Sequence, residues 1–140
     1  MLIVDTNVIA YLYIEGDFTQ QARTVYREDS IWAAPYLWRS EFRNILTVYL
    51  RQKILTLDEC IERINSANKL LQNHEFELDS DSVLSLASSC SLSAYDCEYV
   101  VLARQLSLKL VTNDKKIIKE FPQDIIDLRT ISTGINPNEE

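Results

Sequence analysis

Apolar residues arrive along this chain in short runs separated by longer amphipathic stretches, the pattern of strands alternating with helices. The first run, Met1-Leu2-Ile3-Val4, ends abruptly on Asp5-Thr6-Asn7. A short apolar run bounded by polar residues is how a parallel strand buried on both faces reads, and ligands gather at the carboxyl ends of such strands in open α/β sheets. Val8 to Ile14 continues as a short helix closed near Gly16, and Thr19 to Arg27 places Ala22, Val25 and Tyr26 on one helical face. Ser30 to Ala34 reads as a second strand stopped by Pro35. Tyr36 to Arg51 predicts a long helix with Leu37, Trp38, Phe42, Ile45, Leu46 and Tyr49 on its apolar face. Thr56 and Glu59 stand at capping-box spacing and open a helix to about Leu71, after which His74 to Leu78 alternates as a third strand. Asp79 or Ser80 caps a helix through about Ser89, and Ser93 opens another to about Leu106. Lys109 to Thr112 is a fourth strand, Lys115 to Glu120 a helix ended by Pro122, and Ile125 to Leu128 a last strand. This alternation implies an α/β fold with a parallel sheet of about five strands and right-handed crossovers.

Four acids interrupt the pattern. Asp5 and Asp114 close apolar runs, so each stands at a strand end, and each is also a residue type that caps the helix that follows. Glu41 lies four residues from both Leu37 and Ile45, on the apolar stripe of its helix, where capping is unavailable and an unpartnered carboxylate costs several kcal/mol in effect or shifts its pKa. Asp96 has two compatible readings: the acidic third residue of a capping box with Ser93, or an inward carboxylate on the side of Val100 and Ala103.

Composition narrows the setting. At 140 residues the chain suits one domain spanning 1–140, with a loose tail from about residue 133. The formal charge of −7 argues against a generic nucleic-acid coat, so any nucleic acid must be met by cations or local basic patches. Cys60, Cys90 and Cys97 are odd in number and lack a C-x-x-C pair, which points to buried thiols in a reducing cytoplasm. Asp5, Glu15 and Asp17 interrupt the apolar N-terminus well short of the ~20 residues of a membrane span, so no membrane is expected. His74, alone of its type, is assigned no role.

If the four acids converge they repel: at ~4 Å a pair costs about 1 kcal/mol in water and roughly 4 at an effective dielectric near 20. A divalent cation reverses that sign. Oxygen ligands without a Cys/His set select Mg²⁺ or Mn²⁺ over Zn²⁺, and such a site suits phosphodiester hydrolysis without a histidine base.

Leu2-Ile3-Val4-Asp5-Thr6-Asn7-Val8, Glu41 in its helix, Ser93-x-x-Asp96, and Leu110-Val111-Thr112-Asn113-Asp114 together resemble the PIN-domain ribonucleases, most closely the VapC-type toxins of toxin-antitoxin pairs. The resemblance runs from Met1 to about Leu128. It implies a three-layer α/β/α fold with strand order 3-2-1-4-5, a Mg²⁺ or Mn²⁺ site of Asp5, Glu41, Asp96 and Asp114, and supporting roles for Thr6, Asn7 and Thr112. It also implies an RNA substrate, a homodimer and an antitoxin that occludes the site. Arg39, Arg43, Lys115 and Lys116 flank the acids and are candidate RNA contacts; Arg39 and Arg43 read equally as solvated helix residues. A receiver-type phosphorylation domain would need an adjacent acidic pair near the first strand, whereas Asp5 stands alone; a haloacid-dehalogenase-like phosphatase would need a second acid where Asn7 stands. The remaining alternative is a catalytically silent module on the same scaffold.

Overall fold

The first apolar run folds as β1 (Leu2–Val4), whose Ile3 and Val4 are wholly buried. It owes that burial to its central place in the sheet of the computed structural model, which describes residues 1–134. Two neighbours pair with β1 in parallel: β2 (Trp32–Pro35) through Leu2 opposite Trp32, and β4 (Leu110–Thr112) through Val4 opposite Val111. The two-residue β3 (Glu75–Phe76) flanks β2, and β5 (Ile125–Asp127) flanks β4. Among the described residues the sheet has five strands in the order β3-β2-β1-β4-β5, all parallel.

Helices α1 (Thr6–Tyr13), α2 (Thr19–Glu28), α3 (Leu37–Arg51) and α4 (Leu57–Leu71) occupy the connections around β1, β2 and β3, while α5 (Ser80–Ser88) and α6 (Ala94–Leu106) carry the chain from β3 to β4. α1 packs on α2, α3 and α4; α5 pairs with α6, which lies against β1, β2 and β4, completing three α/β/α layers. The short α7 (Lys115–Glu120) leads toward β5. Trp32, Trp38, Phe42 and Tyr99 are the largest fully buried side chains, at roughly 1.5–3 kcal/mol for burying a side chain of this kind. The chain leaves β1 toward β2 and leaves β4 toward β5, in opposite directions across the sheet. The crevice beyond the carboxyl ends of β1 and β4 is therefore the topological switch point, where open α/β sheets bind ligands.

Several boundaries differ from the sequence reading for local reasons. Pro35 ends β2 from within rather than stopping it beforehand. Ala34 and Tyr36 donate to the carbonyls of His74 and Phe76, so the N–H that proline lacks falls between them on the other edge. α1 starts at Thr6 and not Val8, running straight off Asp5. β3 is shorter than the alternation from His74 to Leu78 suggests, and Pro122 opens a 3-10 turn (Pro122–Asp124) after α7 has ended at Glu120. From residue 135 onward, the tail expected to be loose lies outside the described residues.

Candidate active site

Asp5, Glu41, Asp96 and Asp114 line one cleft of about 220 Å³ at the switch point, together with Thr6, Asn7, Asn44 and Ile45. The two strand-end acids are tied through a hydroxyl. Thr112 Oγ1 donates to Asp5 Oδ2 at 2.7 Å and accepts the Asp114 N–H at 3.0 Å. Asp5 is the N-cap residue of α1 by position, yet its side chain makes no cap bond. Its carboxylate faces the cleft. Asp114 serves both purposes: Oδ1 accepts the N–H groups of Lys116 and Ile117 at the start of α7, which leaves Oδ2 outside the cap.

The helical acids approach from α3 and α6. Glu41 is half-buried on the apolar side of α3, and its Oε1 accepts Tyr99 Oη at 2.6 Å and Thr6 Oγ1 at 2.9 Å. The two hydroxyl oxygens lie 2.5 Å apart, so Thr6, Tyr99 and Glu41 form a closed triangle. Asp96 sits in the first turn of α6 with its N–H donated to Ser93 Oγ at 3.1 Å, so the residue is fixed by the cap while the carboxylate lines the cleft.

The site is poorly disposed to hold these charges alone. Burial pushes the Asp5 pKa up to about 7; the Thr112 hydroxyl opposes this, the carboxylates of Glu41 and Asp96 reinforce it, and the Thr6 N–H opposes it. Asp96 is raised as well, first by desolvation and then by Asp114, with Glu41 adding to the rise. Burial, followed by the charges of Glu41 and Asp5, holds the Tyr99 phenol well above its ordinary value, so it remains a donor to Glu41. A set of hard oxygen donors in which burial and neighbouring carboxylates disfavour the charges of Asp5 and Asp96 matches a divalent cation in donor type and in charge. Among the described residues no three Asp, Glu, His or Cys side chains are drawn together tightly enough to chelate an ion as they stand. Glu41 is held to Thr6 and Tyr99, and Asp114 to the N-terminus of α7.

The basic residues divide. Lys116 is exposed at the head of α7, and its charge reaches Asp96 and partly offsets that carboxyl's rise; Lys115 is exposed beside it. Arg39 instead forks onto Glu75: its Nε donates to Oε2 and its Nη2 to Oε1, each at 2.5 Å, and Oε2 also accepts from Trp38 Nε1 at 2.8 Å. Arg43 lines a separate groove with Leu46, Leu57 and Ile61 between α3 and α4. Sequence reasoning missed Tyr99, Asn44 and Glu98, the last raised by burial and by Glu41. The available signal was helical phase: Tyr99 follows Asp96 by three residues and Asn44 follows Glu41 by three, one turn along the same face.

A parallel sheet with carboxylates at its switch point, faced by carboxylates from helices on either side, defines an acidic-site α/β domain. The chain belongs to the PIN domain family, whose model matches residues 2–122. It is 28% identical over 124 residues to Ribonuclease VapC3 of Pyrobaculum aerophilum, covering 86% of this chain and 95% of that one. The fold is shared with FitAcB from Neisseria gonorrhoeae (TM-score 0.72, 16% identity, 93% and 99% of the two chains). It is also shared with a chain of a toxin-antitoxin complex from Klebsiella pneumoniae (TM-score 0.68, 14% identity, 91% and 98%) and with a protein from Pyrobaculum aerophilum (TM-score 0.70, 23% identity, 92% and 84%).

Proposed function

We propose that this protein is a Mg²⁺- or Mn²⁺-dependent ribonuclease and the toxin of a toxin-antitoxin pair. The observation that carries the reading is the cleft itself: four carboxylates at the switch point, with Asp5 buried and pushed up to about 7 beside Glu41 and Asp96. The RNA substrate rests on the similarity to a protein named as a ribonuclease, and the antitoxin on a shared fold with a chain of a toxin-antitoxin complex.

Asp5, Glu41, Asp96 and Asp114 would hold the cation, which when bound polarises a phosphoryl oxygen and lowers the pKa of water at the site. The chain's own groups supply order. Thr112 fixes the Asp5 carboxylate, and Thr6 with Tyr99 fixes Glu41. Asn7 and Asn44 present amides to a phosphodiester entering the cleft, and Lys115 and Lys116 provide local positive charge on a chain whose net charge is −7. Exposed Val48, Ile54, Leu57 and Ile61 around the α3–α4 groove offer apolar surface to an antitoxin or a second copy of the chain. No helix among the described residues is long and apolar enough to cross a membrane, and free Cys60, Cys90 and Cys97 suit a cytoplasmic setting.

The test is cleavage of end-labelled RNA by the purified chain with Mg²⁺, with Mn²⁺ and with excess chelator. Wild type cuts only with metal, and Asp5→Asn and Glu41→Gln lose more than the roughly 10- to 100-fold typical of a supporting residue. Cleavage that persists in chelator, or in both variants, overturns the proposal.

A further inference from the structure

Next to the acid cleft lies a group that the proposed reaction does not use. Cys97 directly follows Asp96 in the first turn of α6 and is wholly buried, while Cys90 is half-buried in the bend between α5 and α6. Their sulfurs are 3.7 Å apart and both thiols are free. The intervening loop is anchored rather than slack: Ser91 Oγ bonds Glu120 Oε1 at 2.5 Å, Leu92 is buried, and Ser93 caps α6 by accepting the Asp96 N–H. We propose that Cys90 and Cys97 are a peroxide-sensitive dithiol whose intramolecular disulfide displaces Asp96 and switches the cleft off. The effect on activity rests on the proposed ribonuclease function; the disulfide itself does not.

Exposure assigns the roles. Cys90, the more accessible sulfur, attacks one oxygen of hydrogen peroxide as its thiolate; the O–O bond breaks, hydroxide leaves and takes up the thiol's proton as water, and the sulfur becomes a sulfenic acid. Cys97 Sγ then attacks that sulfur, forming the S–S bond and breaking S–O, and the hydroxyl departs with the Cys97 proton as a second water. Two thiols are oxidised and one peroxide is reduced, with no other reactant. The disulfide brings the sulfurs from 3.7 Å to about 2.05 Å. Cys97 is the residue next to Asp96 in the first turn of α6, so the part of this closure taken up on the Cys97 side moves the turn that carries Asp96. A displacement on the order of 1 Å at a reacting group can cost about 10²-fold in rate.

The full chain carrying Cys60→Ser is treated with hydrogen peroxide, alkylated in denaturant so that any buried free thiol reacts, and examined by intact-mass and peptide-map mass spectrometry before and after dithiothreitol. The result expected is loss of the mass of two hydrogen atoms, a Cys90–Cys97 linked peptide, full reversal by the reductant, and a loss of about 10- to 100-fold in metal-dependent cleavage that returns on reduction. Cys90→Ser in the same background keeps its cleavage after peroxide. Both cysteines remaining open to alkylation, linkage between chains instead of within one, or equal inactivation of Cys90→Ser overturns the proposal. So does a disulfide that forms and leaves cleavage unchanged. Should the chain cut no RNA in any redox state, the ribonuclease reading fails while the mass measurement still decides whether the disulfide forms.

Discussion

Asp5 is a carboxylate kept in a place that disfavours its charge. With its pKa raised from 3.8 to about 7, the folded chain binds the Asp5 proton more tightly than the unfolded chain across that interval, so stability falls as pH rises through it. The contribution is fully present below the unfolded value and lost above about 7. Asp5→Asn keeps an oxygen for the Thr112 hydroxyl and removes the ionisation. In metal-free buffer at pH 8 it is expected to melt higher than wild type, by a stability gain on the order of a few kcal/mol that shrinks toward pH 4. Calorimetry across pH checks this, and a lower melting point for Asp5→Asn at pH 8 contradicts it. Tyr99→Phe preserves ring volume and deletes the hydroxyl that touches Glu41 and Thr6. It is expected to lower cleavage by roughly 10- to 100-fold while the folded circular-dichroism spectrum is retained. Glu41 was legible from sequence because a carboxylate on an apolar stripe breaks a pattern. Tyr99 was not, because an aromatic residue in a buried helix fits one.

At the scale of elements, the caps separate structural acids from those that line the cleft. Thr56 and Glu59 form both bonds of the box that their spacing announces, with Glu59 pulled below its ordinary pKa by the Thr56 N–H and hydroxyl. Asp5 stands where a cap is expected and its side chain makes no cap bond, a choice set by Thr112 across the sheet and therefore invisible locally. Ser93 and Asp96 divide the labour: the serine caps α6 and the acid lines the cleft. Ser93→Ala is therefore expected to cost about 1 kcal/mol of stability. Asp96→Asn, which removes a carboxylate whose pKa burial and Asp114 raise, is expected to keep the metal-free fold at least as stable as wild type and to lose cleavage. Chemical denaturation alongside the RNA assay checks the pair, and a lower stability for Asp96→Asn with cleavage intact would make Asp96 a structural acid. Strand boundaries were the least legible features, since β2 extends through Pro35 by using donors on either side of it.

For the whole molecule, periodicity revealed a parallel α/β sheet, whereas the order of its strands came through resemblance. The order matters most for function. It puts Asp5 and Asp114 on neighbouring strands at the switch point, although 109 positions, the difference between residues 5 and 114, separate them in the chain. Periodicity carries no information about which strands become neighbours. The acidic balance of the chain also belongs to this scale: four of the carboxylates that make the net charge −7 are gathered in one cleft, so a bound cation should stabilise the fold. The most direct test is the melting temperature of wild type and Asp5→Asn at pH 8, titrated with Mg²⁺ through the millimolar range. Wild type should rise steadily with Mg²⁺, by more at pH 8 than at pH 5, where Asp5 is protonated, and Asp5→Asn should rise far less. A wild-type transition that does not move with Mg²⁺, or that moves equally in the variant, would contradict the assignment of the cleft as a cation site.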